Sequence, residues 1–239
     1  MKTLSLSDEN TFVEIFKSND LVIVGEMHGV LENAQVIQNL LEIALKTDRQ
    51  IAVAFEWLLT KSDEENLQSF VMGKSSNITI SKFFIDSDGR VTASHIELLK
   101  KIREYNHIFN NRITIHAFDS EQNNREETMA KKITNIASEG ENLVILTTGS
   151  FHAKRFGLGS TFTSMADVLS NNLRTANFFL KYISGTVQVE DVLYDVRESE
   201  MQNDNQDDYF DYQIEIPNAN PATEKLLLTK LQELTTLER

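Results

Sequence analysis

The chain has 239 residues, a net charge of −13 and no cysteine. Its length fits one domain of generous size, and the lack of cysteine excludes disulfide bonds, thiolate metal sites and a cysteine nucleophile. Such an acidic surface would repel nucleic acid and anionic membranes, so we expect neither as a partner. The charge is compatible with a neutral or cationic small-molecule or peptide substrate, or with a metal ion.

The first part of the chain predicts a strand–helix–strand unit. Residues 21–24 are a short apolar run ended by Gly25, which is typical of a strand buried on both faces. Residues 31–45 carry an apolar stripe at helical spacing, and residues 51–55 form a second buried strand. This order predicts a βαβ unit of a parallel sheet.

The same kinds of pattern continue along the rest of the chain, and residues 60–106 are mainly helical in pattern. The other predicted elements are strands at 113–118, 143–146, 177–183 and 212–216 and helices at 128–137, 164–173 and 222–237. The last two strands are candidates for an antiparallel edge. Because no repeat or linker interrupts the pattern, we expect residues 1–239 to form a single α/β domain, with a central, mainly parallel sheet flanked by helices.

The amino-terminal residues 1–10 are polar and acidic, without the basic and apolar regions of a signal peptide. No apolar run approaches the ~20 residues that are needed to span a bilayer. A cytoplasmic location without membrane insertion is therefore expected, and the oligomeric state is left open.

Charged residues follow the predicted strands where each strand ends. Glu26 and His28 come after the first strand, Glu56 after the second, Asp119 after the third and His152 after the fourth. In parallel α/β sheets, ligands bind beyond the carboxyl ends of the strands. Burying a carboxylate there costs several kcal/mol unless it is paired or bound to a metal. We therefore expect the two glutamates and two histidines to share one cleft.

Two segments carry the spacing Gly-x-x-His, from Gly25 to His28 and from Gly149 to His152. Glycine allows the backbone to turn sharply as it leaves the sheet, so that each histidine is placed beyond the sheet edge. Repetition of this spacing at two predicted strand ends indicates a function more strongly than either segment alone.

Two further residues are candidates for substrate binding. Arg125 would hold an anionic group or a developing oxyanion, and a solvated helix position is its alternative reading. Glu32 would face the same cleft from the first turn of a helix, although an acidic residue also favours a helix amino terminus for electrostatic reasons.

At these residues the sequence resembles the superfamily that joins the haem-binding ChaN-like lipoproteins, the TIKI/TraB proteins and the erythromycin-esterase-like proteins. The resemblance implies a parallel-centred sheet with a cleft at the strand ends. It also implies one of several activities: metal-dependent proteolysis in TIKI-like members, water activation by a histidine and glutamates in esterase-like members, and haem binding in ChaN-like members. The segments that carry it are residues 22–29, 55–57, 124–130 and 148–153.

The first functional hypothesis is a hydrolase that activates water for ester or amide cleavage. A histidine helped by Glu26 or Glu56 would take a proton from water. Alternatively, Glu26, His28, Glu56 and His152 would hold a divalent ion with an open position, and such a ligand set suits Zn, Mn, Co or Fe.

The second hypothesis is a protein that binds haem or another metal complex without turnover, with His28 or His152 as the axial ligand. It predicts an apolar, slot-like pocket around the histidines. A third possibility is a degenerate member of the superfamily that only recognises a partner protein.

Overall fold

The structure is a computed structural model, and its main element is a seven-stranded sheet. It describes residues 1–78, 81–85, 88–139, 142–157, 160–189, 192–203, 205–223 and 226–231. The strands are β1 (Lys2–Leu4), β2 (Leu21–Glu26), β3 (Ile51–Phe55), β4 (Ile113–Ala117), β5 (Leu143–Gly149), β6 (Thr175–Tyr182), β7 (Thr186–Val189), β8 (Val192–Asp195) and β9 (Tyr212–Ile216). Seven of them form the sheet in the order β1-β9-β6-β2-β5-β3-β4, and every neighbouring pair runs parallel.

Helices connect the strands and cover the sheet. They are α1 (Glu9–Ser18), α2 (Glu32–Ala44), α3 (Lys61–Val71), α4 (Lys82–Ile85), α5 (Ala93–Ile108), α6 (Arg125–Ser138), α7 (Ser150–Ala153), α8 (Met165–Ser170) and α9 (Glu200–Asn203), with a 3₁₀ turn at Val196–Glu198. Residues 226–231 are also helical. The remainder of the predicted helix 222–237, residues 224, 225 and 232–237, lies outside the described residues.

Side chains of the central strands alternate between two hydrophobic clusters, one on each face of the sheet. Val22 and Val24 of β2 belong to the cluster that includes α1, α2 and α5. Leu21 and Ile23 belong to the cluster that includes α6 and α8. Because successive residues of a strand point to opposite faces, a strand covered on both sides must be apolar throughout, as β2 is.

The α/β fold with a mainly parallel sheet confirms the sequence prediction. The predicted antiparallel edge was wrong for the two late strands, because β6 pairs in parallel with β2 and β9 pairs in parallel with β6. Antiparallel pairing occurs instead between β7 and β8, which form a separate two-stranded ribbon. Within the described residues, no helix combines the length and the apolar character that crossing a membrane requires.

Candidate active site

The carboxyl ends of the central strands bring His28, Glu56 and His152 to one cleft, which Asp119 and Arg125 also line, and Glu26 contacts His28. Glu26 is the last residue of β2, and Glu56 directly follows β3. Glu26 is in register with Gly149 at the end of β5, and α7, which carries His152, begins at the next residue. His28, Glu56 and His152 line the cleft, which has a volume of about 460 Å³.

His28 is held by Glu26 through one ring nitrogen and presents the other to the cleft. Nδ1 of His28 lies 3.2 Å from Oε1 of Glu26, whose second oxygen accepts a 2.7 Å hydrogen bond from the hydroxyl of Thr147. Nε2 of His28 makes no hydrogen bond to any described residue and lies 3.8 Å from Oε2 of Glu56. With a carboxylate accepting at Nδ1, the ring proton of neutral His28 belongs on Nδ1, so that Nε2 carries the free lone pair.

The two carboxylates also set the protonation of His28. Burial would lower the pKa of His28, but the hydrogen bond to Glu26 and the negative charges of Glu56 and Glu26 outweigh it and raise the pKa above the ordinary value of 6.5. The His28 side chain is 27% exposed, so its ring is accessible to solvent in the cleft.

Glu56 is buried at the centre of the site and is ionised. Its Oε2 accepts hydrogen bonds from the Thr148 hydroxyl at 2.6 Å and the Gly149 N–H at 2.8 Å. Its Oε1 accepts a 2.7 Å hydrogen bond from Nη2 of Arg125. Burial alone would raise the pKa of Glu56, but the positive charges that His28 and His152 carry when they are protonated, and the bonds from Thr148 and Gly149, lower it to about 2.

Two arginines and a second buried carboxylate complete this network. Arg125 contacts Oδ1 of Asp119 through Nε at 2.8 Å and through Nη2 at 2.7 Å. Arg90 donates from Nη1 to Oδ2 of Asp119 and lies 3.8 Å from Oε1 of Glu56. Asp119 and Glu56 therefore share two guanidinium groups, and each buried charge has an opposite charge beside it.

His152 has both ring nitrogens engaged. Its Nδ1 lies 2.6 Å from Oε1 of Glu126, and its Nε2 lies 3.0 Å from Nη1 of Arg125. Because a guanidinium N–H only donates, Nε2 must accept and the proton must sit on Nδ1. Glu126 is fixed in turn by the backbone N–H of Met165, which donates to its Oε2 at 2.7 Å. His152 thus orients Arg125.

Gly149 lies close to His28, so that a larger residue there would press on the His28 ring. A Cβ atom at this position would lie 3.2 Å from Nε2 of His28 and 3.8 Å from Oε2 of Glu56. The second glycine of the pair, Gly25, has no room either, since a Cβ there would lie 2.9 Å from Cβ of Ala153. Both glycines of the Gly-x-x-His segments are therefore needed for close packing at the strand ends.

Glu32 does not join the site. Its carboxylate accepts hydrogen bonds from the backbone N–H and the side-chain amide of Asn220, at 2.9 and 2.6 Å. It is not among the described residues that line the cleft. Its position at the start of α2 places it against the carboxy-terminal segment, so the structure gives it a local structural role.

Three contributors to the network had no assigned role in the sequence prediction. Arg90 lies in the loop before α5, where no local pattern marks it. Glu126 follows Arg125 in the first turn of α6, and an acidic residue there is equally explained by the helix dipole. Thr148 follows the apolar run of residues 143–146, and its hydroxyl bond to Glu56 is a long-range contact that the sequence does not show.

The residues present do not fit a divalent metal. Among the described residues, no group of three or more histidine, aspartate or glutamate side chains is arranged to hold one. The physical reason is the guanidinium of Arg125, which lies between Glu56 and His152 and uses the lone pairs that a metal would need. The four predicted metal ligands, Glu26, His28, Glu56 and His152, therefore make hydrogen bonds to protein groups instead of converging on one point.

The described residues that line the cleft do not form the apolar slot that haem binding predicts. Apart from Leu58, its lining residues are polar or charged, including Asp88 and Glu121 as well as the central ion network. Haem presents a large apolar face, and burying charged side chains against it would be costly. The cleft residues therefore do not fit haem as an enclosed prosthetic group.

Comparisons with known proteins concern the fold alone. No protein-family model matches the chain, and no curated protein matches it. Among solved structures, the chain is similar to ChaN of Campylobacter jejuni, whose structure describes cofacial haem binding. The two are 12% identical with a TM-score of 0.42, and the match covers 73% of this chain and 86% of that one.

Proposed function

We propose that this protein is a hydrolase that activates water for attack on an ester or amide carbonyl, with His28 as the general base. The observation that carries the proposal is the contrast between the two nitrogens of His28. Nδ1 is held by Glu26, whereas Nε2 has no hydrogen-bond partner among the described residues, and the side chain lines the open cleft. A carboxylate that orients a histidine in this way stabilises the imidazolium that forms during proton transfer.

The reaction requires the ring of His28 to accept and return one proton. Nε2 would take a proton from water as the water oxygen bonds to the carbonyl carbon. The protonated ring would then give that proton to the departing alkoxide or amine as its bond to the carbonyl carbon breaks. Glu26 remains ionised throughout and balances the charge of the imidazolium.

Arg125 is suited to stabilise the developing oxyanion. Its side chain is 34% exposed, so it reaches the cleft surface while it stays bonded to Glu56, Asp119 and His152. Nη1 carries a second N–H that has no partner within the described part of the chain. A fixed cationic donor aimed into a cleft is the kind of group that stabilises charge formed in a transition state.

The remaining groups position these two. Glu56 and Asp119 hold the guanidinium from one side, and His152 with Glu126 holds it from the other. On this proposal, the catalytic residues are His28 and Arg125, while Glu26, Glu56 and His152 act through them.

The test compares His28→Asn with His107→Asn on a panel of small esters and short peptides. His107 is exposed in the last turn of α5 and lies outside the site. We expect His28→Asn to lower kcat/KM by ~10²-fold or more, the scale of a positioned general base, and His107→Asn to leave it unchanged. Equal activity of the two variants, or no hydrolysis by the wild-type protein, would overturn the proposal.

Haem or metal-complex binding is the second hypothesis, and the free Nε2 of His28 is the observation in its favour. That atom is a potential axial ligand on the cleft surface. Titration with haemin tests it. A sharp absorption band near the blue edge of the visible that is lost in His28→Asn would support this hypothesis, and its absence from the wild-type protein would reject it.

A further inference from the structure

Three phenylalanines form a cluster beside the cleft. The proposed mechanism does not use this cluster. Phe151 contacts Phe162 and Phe156, with ring centroids 4.9 and 5.6 Å apart, and Phe156 contacts Phe162 at 5.5 Å. The ring of Phe151 is also 6.0 Å from that of His152, nearly perpendicular to it at 81°. We refer to Phe151, Phe156 and Phe162 as the phenylalanine platform.

The platform is held in place and yet left partly open to solvent. Phe156 packs on Tyr209 at 5.6 Å, and the ammonium of Lys154 lies 4.8 Å from the centroid of Tyr209. Phe156 and Phe162 are half-buried, whereas Phe151 is 48% exposed.

Phe151 is exposed although the short turn that carries it has a buried side. The neighbours of Phe151 and His152 in the single turn α7, Ser150 and Ala153, are both buried, so the turn has an inward side that Phe151 does not use. An exposed ring forgoes the stabilisation that burial of a phenylalanine provides. The platform therefore adds a small apolar surface beside the polar cleft.

The size of the platform points to a small ligand. A stable protein–protein interface needs about 800 Å² from each partner. Three side chains, two of them half-buried, supply only a small part of such an area. They match a single aromatic ring or a comparable hydrocarbon group, which would pack edge-to-face on rings that are already tilted toward one another.

We propose that the phenylalanine platform binds an aromatic or similarly apolar group of the substrate while the scissile carbonyl lies in the charged cleft beside it. The inference rests on the proposed hydrolase function and adds a substrate class to it. That class is an uncharged or cationic ester or amide with an aromatic group near the bond that is cleaved. The cleft itself cannot hold such a group, since Leu58 is its one apolar lining residue among the described residues.

The experiment measures kcat/KM for methyl acetate, benzyl acetate and methyl phenylacetate by proton release. The two aromatic esters place a ring on either side of the scissile bond. We expect the wild-type protein to prefer one of them over methyl acetate. Phe151→Ala and Phe162→Ala should reduce that preference, measured as the ratio of kcat/KM for the aromatic ester to that for methyl acetate, about tenfold, the value of ~1.4 kcal/mol of ring contact.

Phe109→Ala is the matched control, because Phe109 is a 38% exposed phenylalanine that caps the end of α5 away from the site. Phe109→Ala should leave the preference unchanged. Thermal unfolding checks that each variant is folded. If Phe162→Ala does not fold, the result for Phe151→Ala alone decides the outcome.

The experiment distinguishes an error in the platform proposal from an error in the hydrolase proposal. If all variants hydrolyse the three esters with the wild-type preference, the platform is refuted and the hydrolase stands. If the wild-type protein hydrolyses none, binding of phenylacetamide is measured by ligand-observed NMR with the wild-type protein and Phe151→Ala. Weaker binding by Phe151→Ala would support the apolar subsite without the hydrolase, and equal binding would overturn it.

Discussion

Replacement of Glu56 by glutamine removes the charge at the centre of the ion network while preserving the size of the side chain. In the folded protein the pKa of Glu56 is lowered from the ordinary value of 4.5 to about 2. At ~1.36 kcal/mol per pKa unit, this difference corresponds to about 3 kcal/mol of stability that depends on ionisation. Its side chain is only 5% exposed, so solvent screening does not reduce this figure appreciably.

The sign of the pH dependence follows from the lowered pKa. A carboxylate whose pKa is depressed by folding stabilises the protein above the unfolded value, here 4.5, and this contribution is lost as the pH falls toward 2. We therefore expect Glu56→Gln to be about 3 kcal/mol less stable than the wild-type protein at pH 7. Near pH 3 the ionisation-dependent part of that difference should shrink to about 1 kcal/mol.

Urea unfolding at pH 7, 5, 4 and 3 measures both quantities. Differences between glutamine and protonated glutamate in packing and hydrogen bonding add a part that does not vary with pH, so the change with pH is the diagnostic. Glu14→Gln is the control: Glu14 is 73% exposed, pairs with Lys17 on the surface and should contribute ~0.5 kcal/mol or less. If the difference in free energy of unfolding between Glu56→Gln and the wild-type protein stays constant from pH 7 to pH 3, the charge network is not the source of that stability.

Two other substitutions test the geometry around His28. Glu26→Gln removes a charge that raises the pKa of His28, so the acid limb of the kcat/KM profile should move to lower pH; a limb at the wild-type pH would show that His28 is not the titrating base. Gly149→Ala places a methyl group against Nε2 of His28 and should lower kcat/KM by ~10²-fold through misplacement of the ring, and wild-type kinetics would refute the requirement for glycine.

The strand ends of the site were predictable from the sequence because the central strands are buried on both faces. Such strands must be apolar along their whole length, so the first charged residue marks the point where the chain leaves the sheet. This reasoning located Glu26 and Glu56 at the same edge, and the Gly-x-x-His spacing located the two histidines. This prediction did not depend on the order of the strands in the sheet.

The order and direction of the later strands were not predictable in the same way. The patterns at β6 and β9 indicate strands, but a strand pattern does not encode which neighbour it pairs with. Pairing is decided by the path of the connections, and α7, α8 and the loops around them return the chain so that β6 aligns with β2 in parallel. The β7–β8 ribbon is too short to stand out among polar neighbours.

The contacts that define the chemistry are long-range, and local patterns do not reveal them. Arg90 and Arg125 are far apart in the chain, yet both reach Asp119 and Glu56. From sequence, two histidines and two glutamates favour a metal site. With two guanidinium groups among them, the same residues form a network of ion pairs, since each arginine supplies the positive charge that a metal would have supplied.

The two histidines show how the surroundings decide a role that the motif leaves open. Both follow a glycine by three residues at the end of a parallel strand, and both place Nδ1 against a glutamate. They differ at Nε2, which in His152 accepts a hydrogen bond from Arg125 and in His28 faces the cleft. A lone pair already occupied by a guanidinium cannot remove a proton from water, whereas a free one can. On the proposed function, identical spacing has produced one residue that acts as the base and one that positions Arg125, and the difference between them comes from the placement of Arg125.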